Sequence, residues 1–262
     1  MIPIPVREEI LQRIRRAEQE HDVKVLLAVE SGSRAWGFAS VNSDYDARFI
    51  YVHRRDWYLS VGLEDKRDVI EYPIVDDIDL NGWDLRKALR LFWKSNPAFV
   101  EWIQSPILYA ELGSFAASAR QLMPEVYSCV RGVHHYRSMA KTNHRGYLQA
   151  EQVPLKKYFY VLRPLLSVRW LERYGQAAPI EFAKLLHLID DQPALLADIH
   201  ALLERKRAAQ ELGLAPPVKS IDAFIQAELA RLEHFSPQPS ERDDVLGKLD
   251  AVFHRCLDET WA

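Results

Sequence analysis

The sequence has few cysteines and no long apolar run, and both absences narrow the class of protein. Cys129 and Cys256 are the two cysteines among 262 residues, too few for a disulfide framework and without the paired spacing of zinc ligands. No apolar run approaches the roughly 18 residues that a transmembrane helix requires. Residues 1–10 also lack the basic-then-apolar pattern of a secretory signal. The sequence therefore predicts a cytoplasmic protein with reduced thiols and no membrane partner.

The chain also lacks a strong excess of either charge. Its formal net charge is −3 at pH 7, with 48% hydrophobic and 27% charged residues. This composition is typical of a globular protein with a buried core, and the length allows one large domain or two smaller ones. A general affinity for nucleic acid is not indicated, so any site for a polyanion must come from a local cluster of basic residues.

A pair of carboxylates near a turn of small residues is the first chemical feature. The apolar run 23–29 leads into Ser31-Gly32-Ser33, and Asp44 and Asp46 open a second apolar run. Strand residues two apart share a face, so these two aspartates should project together. Neighbouring carboxylates repel unless a cation lies between them, and Mg²⁺ is commonly held by one or two carboxylates plus substrate phosphates. The Gly-Ser turn offers backbone N–H groups and a hydroxyl to a phosphate.

This combination resembles the signature of the DNA polymerase β superfamily of nucleotidyltransferases, and most of all its RNA-repair-pathway (RlaP-type) branch. A lone Asp-x-Asp pair is common on protein surfaces, whereas the combined spacing is specific. The matching segments cover much of residues 23 to 175 and are GSRAxG at 32–37, SDYDxR at 43–48, NGWDLRK at 81–87, the Asn96-Pro97 and Glu101-Trp102 pairs, and the later KKY at 156–158 and LRP at 162–164.

The resemblance implies a metal-dependent nucleotidyltransferase. Such an enzyme moves an NMP from an NTP to an acceptor hydroxyl and releases pyrophosphate. It implies Mg²⁺ or Mn²⁺ held by Asp44, Asp46 and a third carboxylate from an adjacent strand, which would make these three residues catalytic. Asp79, in the apolar-acid-apolar sequence Ile78-Asp79-Leu80, fits the third position best, and Asp77 on the same strand face is the alternative. Asp79 would also help to deprotonate the acceptor hydroxyl.

The candidate nucleotide-binding residues lie in two parts of the chain. The partner is expected to be a nucleoside triphosphate, ATP among the candidates, since the motif does not specify the base. The residues are Gly32, Ser33 and Arg34 at the turn, and Lys156, Lys157 and Arg163 in the later basic segment.

The order of elements predicts an α+β fold, with a small mixed-sheet nucleotidyltransferase core followed by an all-helical C-terminal domain. Strands are expected at about 23–29, 46–52, 68–73 and 75–80, and no strand is expected beyond residue 107. We therefore expect a catalytic domain over residues 1–107. A helical domain over residues 108–262 would complete the cleft for nucleotide and acceptor.

A local basic stretch favours RNA as the acceptor. Residues 131–173 hold nine lysines or arginines against two glutamates. Helical spacing places Arg137, Lys141 and Arg145 on one face, which makes them candidate RNA contacts. A charge run of this kind is also typical of a merely solvated helix face. The alternatives in function are nucleotidylation of a small molecule or a protein, or a nucleotide-binding module without catalysis.

Overall fold

A computed structural model describes residues 2–208, 213–235 and 245–262, and these residues form two compact units. The first unit comprises residues 2–35, 44–126 and 245–262, and the second comprises residues 36–43, 127–208 and 213–235. The predicted boundary after residue 107 differs from this division. Residues 108–126 and the C-terminal helix belong to the first unit because their apolar faces are buried in its core. The parts of the predicted 108–262 domain at 209–212 and 236–244 lie outside the described residues.

The first unit combines a five-stranded sheet with helices. Its helices and strands are, in chain order, α1 (Ile4–His21), β1 (Lys24–Glu30), α2 (Gly32–Ala35), β2 (Tyr45–Val52), α3 (Arg55–Tyr58), β3 (Val69–Glu71), β4 (Ile78–Asp84), α4 (Leu85–Trp93), α5 (Pro97–Ile103), β5 (Leu108–Glu111) and α6 (Phe115–Val126). A 3₁₀ turn spans Leu63–Asp65, and the C-terminal helix is Val245–Trp261. The mixed α+β class predicted from the sequence is confirmed.

The sheet is mixed, with the strand order β3-β4-β2-β1-β5. β2 and β4 run parallel, and the other neighbouring pairs are antiparallel. The fifth strand contradicts the expectation that no strand follows residue 107. β5 has four residues, pairs with β1 along one edge, and exposes Leu108, so its sequence carries too short an apolar alternation to be recognised.

Both faces of the sheet are covered. One face packs on α1 through Ile10, Ile14 and Ala17, and the other packs on α4, α5, α6 and the C-terminal helix. β1 is buried on both faces, which explains its continuous apolar sequence. The β1–β2 register shifts between Val25 and Leu27, and such a bulge re-aims the side chains around it.

Local sequence determines where α4 and α5 begin. The Asp84 carboxylate accepts the backbone N–H of Arg86 at 2.8 Å, and the Asn96 side chain accepts the N–H groups of Ala98 and Phe99 at 2.9 and 3.2 Å. Asp and Asn are preferred at helix N-caps because they satisfy donors that the helix leaves unpaired.

The second unit is mostly helical. Its elements are α7 (Cys129–Tyr147), β6 (Val153–Pro154), α8 (Phe159–Tyr174), α9 (Pro193–Ala208), β7 (Leu214–Ala215) and α10 (Lys219–Glu233), with 3₁₀ segments at Leu155–Tyr158 and Phe182–Ile189. β6 and β7 pair as a two-residue antiparallel ladder, again contrary to the expectation of helices alone. In the part of the chain that the structure describes, no helix has the length and apolar character needed to cross a membrane.

Candidate active site

Two of the predicted carboxylates lie side by side where β2 and β4 begin. These strands are parallel, and their register pairs Asp46 directly with Asp79. The side chains are 29% and 21% exposed, so both are partly shielded yet open to solvent. Aspartates that lie 33 positions apart in sequence thus become immediate neighbours on one sheet face. The geometry supports Asp79 rather than Asp77 as the partner of Asp46.

Asp77 occupies a different kind of position. Asp76 and Asp77 have φ values of 53° and 58° and form a two-residue turn closed by the Val75–Ile78 bridge. Positive φ at both positions is typical of a type I′ hairpin turn, where Asp is tolerated. Asp77 is therefore an exposed turn residue that precedes β4.

A guanidinium joins the two carboxylates. Arg48 Nη2 donates to Asp46 Oδ1 at 2.9 Å and to Asp79 Oδ2 at 2.6 Å. Asn81 Nδ2 donates to the other oxygen of Asp79 at 2.5 Å. The repulsion expected between the paired acids is thus offset by a cation from the chain itself.

The Gly-Ser turn lies against Asp46. The Ser31 N–H donates to the Asp46 carbonyl at 2.9 Å, and Gly32 has a φ of +56°. A Cβ on residue 32 would come within 1.9 Å of Asp46 Oδ2. Glycine is therefore required here for two reasons: its backbone is left-handed, and the Asp46 carboxylate occupies the place that a Cβ would need.

Glu30 is a site residue that the sequence analysis missed. It is fully buried and accepts the Asp46 N–H at 3.0 Å and the Tyr109 hydroxyl at 2.5 Å. Burial raises the pKa of Glu30 to about 7, and these hydrogen bonds partly oppose that rise. An acidic residue that ends an apolar strand just before the Gly-Ser turn was the available signal. Its contacts make it a positioning residue for the Asp46 backbone.

The electrostatics of Asp46 reflect its crowded surroundings. Burial raises its pKa, Arg48 lowers it, and the charges of Asp79 and Asp44 raise it again. A bound cation would favour the charged form and oppose that rise.

Asp44 and Arg34 lie at the solvent side of the same region. Asp44 is exposed and directly precedes β2. The Arg34 guanidinium donates to the Asp44 carbonyl at 3.1 Å and lies 3.9 Å from the centre of the Tyr45 ring. Ser33 lies in α2 beside Gly32, where it is half-buried.

The carboxylates of Asp44, Asp46 and Asp79 are suitable ligands for a hard divalent cation, although the three do not converge on one metal position. Carboxylate oxygens are the preferred ligands of Mg²⁺. Asp46 and Asp79 already share one cationic group, the Arg48 guanidinium. Among the residues that the structure describes, no group of three His, Cys, Asp or Glu side chains has metal-binding geometry. The carboxylates of Asp46 and Asp79 are instead arranged around the Arg48 guanidinium.

The predicted nucleotide-binding cations of the later segment lie in the second unit. Lys156 and Lys157 are half-buried in a 3₁₀ segment, and Lys157 Nζ lies 4.0 Å from the centre of the Tyr147 ring. Arg163 is 2% exposed, and its guanidinium lies 4.5 Å from the centre of the Trp36 ring. Arg163 is therefore a core residue of this unit.

The three candidate RNA contacts lie on α7 at the predicted spacing of four. Lys141 and Arg145 are exposed, and Arg137 is half-buried, with Nη2 donating to the Glu233 carbonyl at 3.4 Å. Two of these three cations are thus presented to solvent.

Comparison with known proteins agrees with the resemblance seen in the sequence. The model of the RlaP family, described as the RNA repair pathway DNA polymerase beta family, matches residues 6–255. YcgL of Bacillus subtilis (strain 168), described as an uncharacterized protein, is 43% identical over 257 residues, which are 98% of this chain and 98% of that protein. A crystal structure of a nucleotidyltransferase-like protein from Exiguobacterium sibiricum 255-15 covers 94% of this chain and 89% of its own, with a TM-score of 0.31 and 14% identity. The match over nearly the whole sequence shows that the chain belongs to the RlaP family of polymerase β-type nucleotidyltransferases.

Proposed function

We propose that this protein transfers an NMP from a nucleoside triphosphate, such as ATP, to a hydroxyl of RNA in a reaction that depends on Mg²⁺ or Mn²⁺. The observation that carries the proposal is the register of β2 and β4, which pairs Asp46 with Asp79 beside the Gly-Ser turn. A lone Asp-x-Asp motif has many explanations, but a second strand that supplies its acid next to the first is the arrangement that a metal-bound triphosphate needs.

The reaction forms one bond and breaks one bond at the α-phosphorus. The acceptor oxygen bonds to the α-phosphorus, the bond to the bridging oxygen breaks, and pyrophosphate leaves with that electron pair. We assign the acceptor proton to Asp79. Catalysis of such transfers comes mainly from positioning and charge neutralisation, with little covalent chemistry by the protein.

The residues of the first unit divide this work. Gly32, Ser33 and Arg34 hold the phosphates of the nucleotide, and Glu30 holds the backbone of Asp46 in place. Asp44, Asp46 and Asp79 would hold the divalent ions, which would neutralise charge on the attacking and leaving oxygens.

RNA is the proposed acceptor because α7 presents exposed cations in a protein whose net charge is negative. A charged polymer is retained through several such contacts, whereas a small acceptor needs only a pocket. The description of the family as one of RNA repair favours the same acceptor.

The activity is tested by supplying each α-labelled NTP with Mg²⁺ or Mn²⁺ and total RNA. We expect the label to enter RNA. Asp46→Asn and Asp79→Asn keep the side-chain shape and remove one charge, so each should lower transfer by orders of magnitude. Asp77→Asn makes the same charge change at an exposed turn and serves as the matched control, which should retain wild-type transfer. Near-normal transfer by the Asp46→Asn variant would refute the assignment.

The acceptor is tested separately from the chemistry. Lys141→Glu combined with Arg145→Glu should weaken RNA binding and reduce its salt dependence, since fewer counterions are released. Arg15→Glu combined with Arg16→Glu changes the net charge equally on α1 and should leave RNA binding unchanged. Replacing Lys156 and Lys157 tests their predicted role through NTP affinity. Label that enters protein or a small molecule instead of RNA would replace the proposed acceptor and keep the transfer reaction.

A further inference from the structure

We propose that Arg48 occupies, through Nη2, the cation position shared by Asp46 and Asp79, and that a divalent ion binds both acids by replacing those two contacts. Arg48 would then limit the metal affinity of the nucleotide-free protein. This inference rests on the proposed function and assigns a specific residue to the control of its metal.

A metal ion and Arg48 compete for the same carboxylate oxygens. Nη2 takes Oδ1 of Asp46 and Oδ2 of Asp79, and Asn81 takes the remaining oxygen of Asp79. Of the four oxygens, Asp46 Oδ2 is the one that packs against Gly32, where a Cβ would come within 1.9 Å of it. An ion that bridges Oδ1 of Asp46 and Oδ2 of Asp79 therefore competes with Arg48 for the oxygens of two charge-assisted hydrogen bonds.

Backbone carbonyl groups anchor the Arg48 guanidinium. Arg48 Nη1 donates to the Asp79 carbonyl at 2.6 Å and to the Ala47 carbonyl at 3.1 Å. The side chain is only 16% exposed, so solvent screens its contacts less than at the surface. These carbonyl contacts do not use the carboxylates, and they can persist while Nη2 gives way. Arg48 thus stays beside the site as a second cation after the metal binds.

Arg48 also links metal binding to nucleotide binding. A triphosphate carries negative charge and oxygen acceptors to which a guanidinium can donate. When the carboxylates of Asp46 and Asp79 bind the metal, Nη2 of Arg48 can therefore donate to the phosphates instead. Binding of the nucleotide and of the metal should therefore be mutually favourable, and this coupling should depend on Arg48.

The experiment measures Mn²⁺ binding to the full chain by the electron paramagnetic resonance signal of the free ion, with and without ATP. In the absence of ATP, Arg48→Met should bind Mn²⁺ at least about tenfold more tightly than wild type. In wild type the ion must break charge-assisted hydrogen bonds from Arg48, and each of these lowers the Mn²⁺ affinity by a factor of about ten or more. The enhancement by ATP should shrink in the same variant. Arg48→Lys keeps the charge and loses the fork, so it should fall between the two.

Two controls separate this inference from simpler explanations. Arg54→Met removes the same charge from an exposed pair with Asp22 after the far end of β2, and its Mn²⁺ affinity should equal that of wild type. Asp46→Asn should abolish tight Mn²⁺ binding in the Arg48→Met background. The rise in unfolding temperature on adding Mn²⁺ gives a second readout, which should be larger for Arg48→Met than for wild type.

The outcomes distinguish the two proposals. Unchanged or weaker Mn²⁺ binding by Arg48→Met, together with Asp46-dependent binding by wild type, overturns the role of Arg48 and leaves the proposed function standing. Absence of saturable Mn²⁺ binding in both proteins, even with ATP, overturns the metal assignment itself.

Discussion

Glu30 offers a sharp test of how the site is supported, because its buried carboxylate should make the stability of the protein depend on pH. Burial raises the pKa of Glu30 from an ordinary 4.5 to about 7. The folded protein therefore binds this proton more tightly than the unfolded chain does. The stabilisation is complete below pH 4.5 and is lost as the pH rises through about 7. The pKa difference corresponds to about 3 kcal/mol.

Glu30→Gln should remove this dependence while it keeps the shape of the side chain. The amide oxygen can still accept the Asp46 N–H, and no charge has to be buried. We therefore expect the free energy of unfolding of the variant, relative to wild type, to rise by about 3 kcal/mol between roughly pH 4 and pH 8. Chemical denaturation at a series of pH values measures this. The same pH slope in both proteins would show that another group is responsible.

Glu30→Ala should behave differently because it removes the acceptor itself. The Asp46 N–H and the Tyr109 hydroxyl would lose their partner, at roughly 1–3 kcal/mol for each buried donor, so a loss of about 2–6 kcal/mol is expected. Nucleotidyl transfer should fall further in Glu30→Ala than in Glu30→Gln. Glu18→Ala is the matched control. The Glu18 side chain, on α1, accepts at 2.9 Å the backbone N–H of Val25, which lies on β1 as Glu30 does. Equal loss of transfer in Glu18→Ala and Glu30→Ala would contradict the positioning role.

Two further substitutions test the surroundings of the site and the start of α4. Gly32→Ala should abolish transfer and destabilise the protein, because its Cβ would lie 1.9 Å from Asp46 Oδ2. Gly37 also has a positive φ but nothing within 4 Å of an added Cβ, so Gly37→Ala should show only backbone strain of about 1–2 kcal/mol. Comparable transfer in the two variants would contradict this account. Asp84→Asn should abolish a loss of stability that wild type shows as the pH rises from 3.8 through about 6, since burial raises the pKa of Asp84 to about 6. The pKa difference corresponds to about 3 kcal/mol. Chemical denaturation at a series of pH values measures it, with the exposed Asp65→Asn as the control. If stability depends on pH in Asp84→Asn as it does in wild type, the assignment to Asp84 is wrong.

Local physics explains what could be predicted from the sequence. The apolar run ending at Glu30 predicts β1, and the apolar stripe after Asp84 predicts α4. Each of these signals depends on residues within one or two turns of chain, so no knowledge of distant partners is needed. The combination of turn and carboxylates was likewise enough to identify the family, because it lies within one short segment, 31–48.

The tertiary structure decided the pairings between distant segments. Which aspartate lies beside Asp46, Asp77 or Asp79, depended on the hairpin turn at 76–77 and on the parallel register of β2 with β4. The C-terminal helix has a recognisable apolar face, but only packing assigns that face to the core of the first unit. An apolar stripe on a helix indicates that this face is buried, but it does not determine which other element packs against it.

The roles of Glu30 and Arg48 show the same division at the level of single side chains. The sequence by itself determined that acids and a Gly-Ser turn lie together, since strand periodicity and short spacing require it. It did not determine that Arg48 would join Asp46 to Asp79, or that a buried glutamate would hold the Asp46 backbone. Those contacts depend on which strands become neighbours, and that choice follows from burial of the whole sheet between its helices rather than from any local preference.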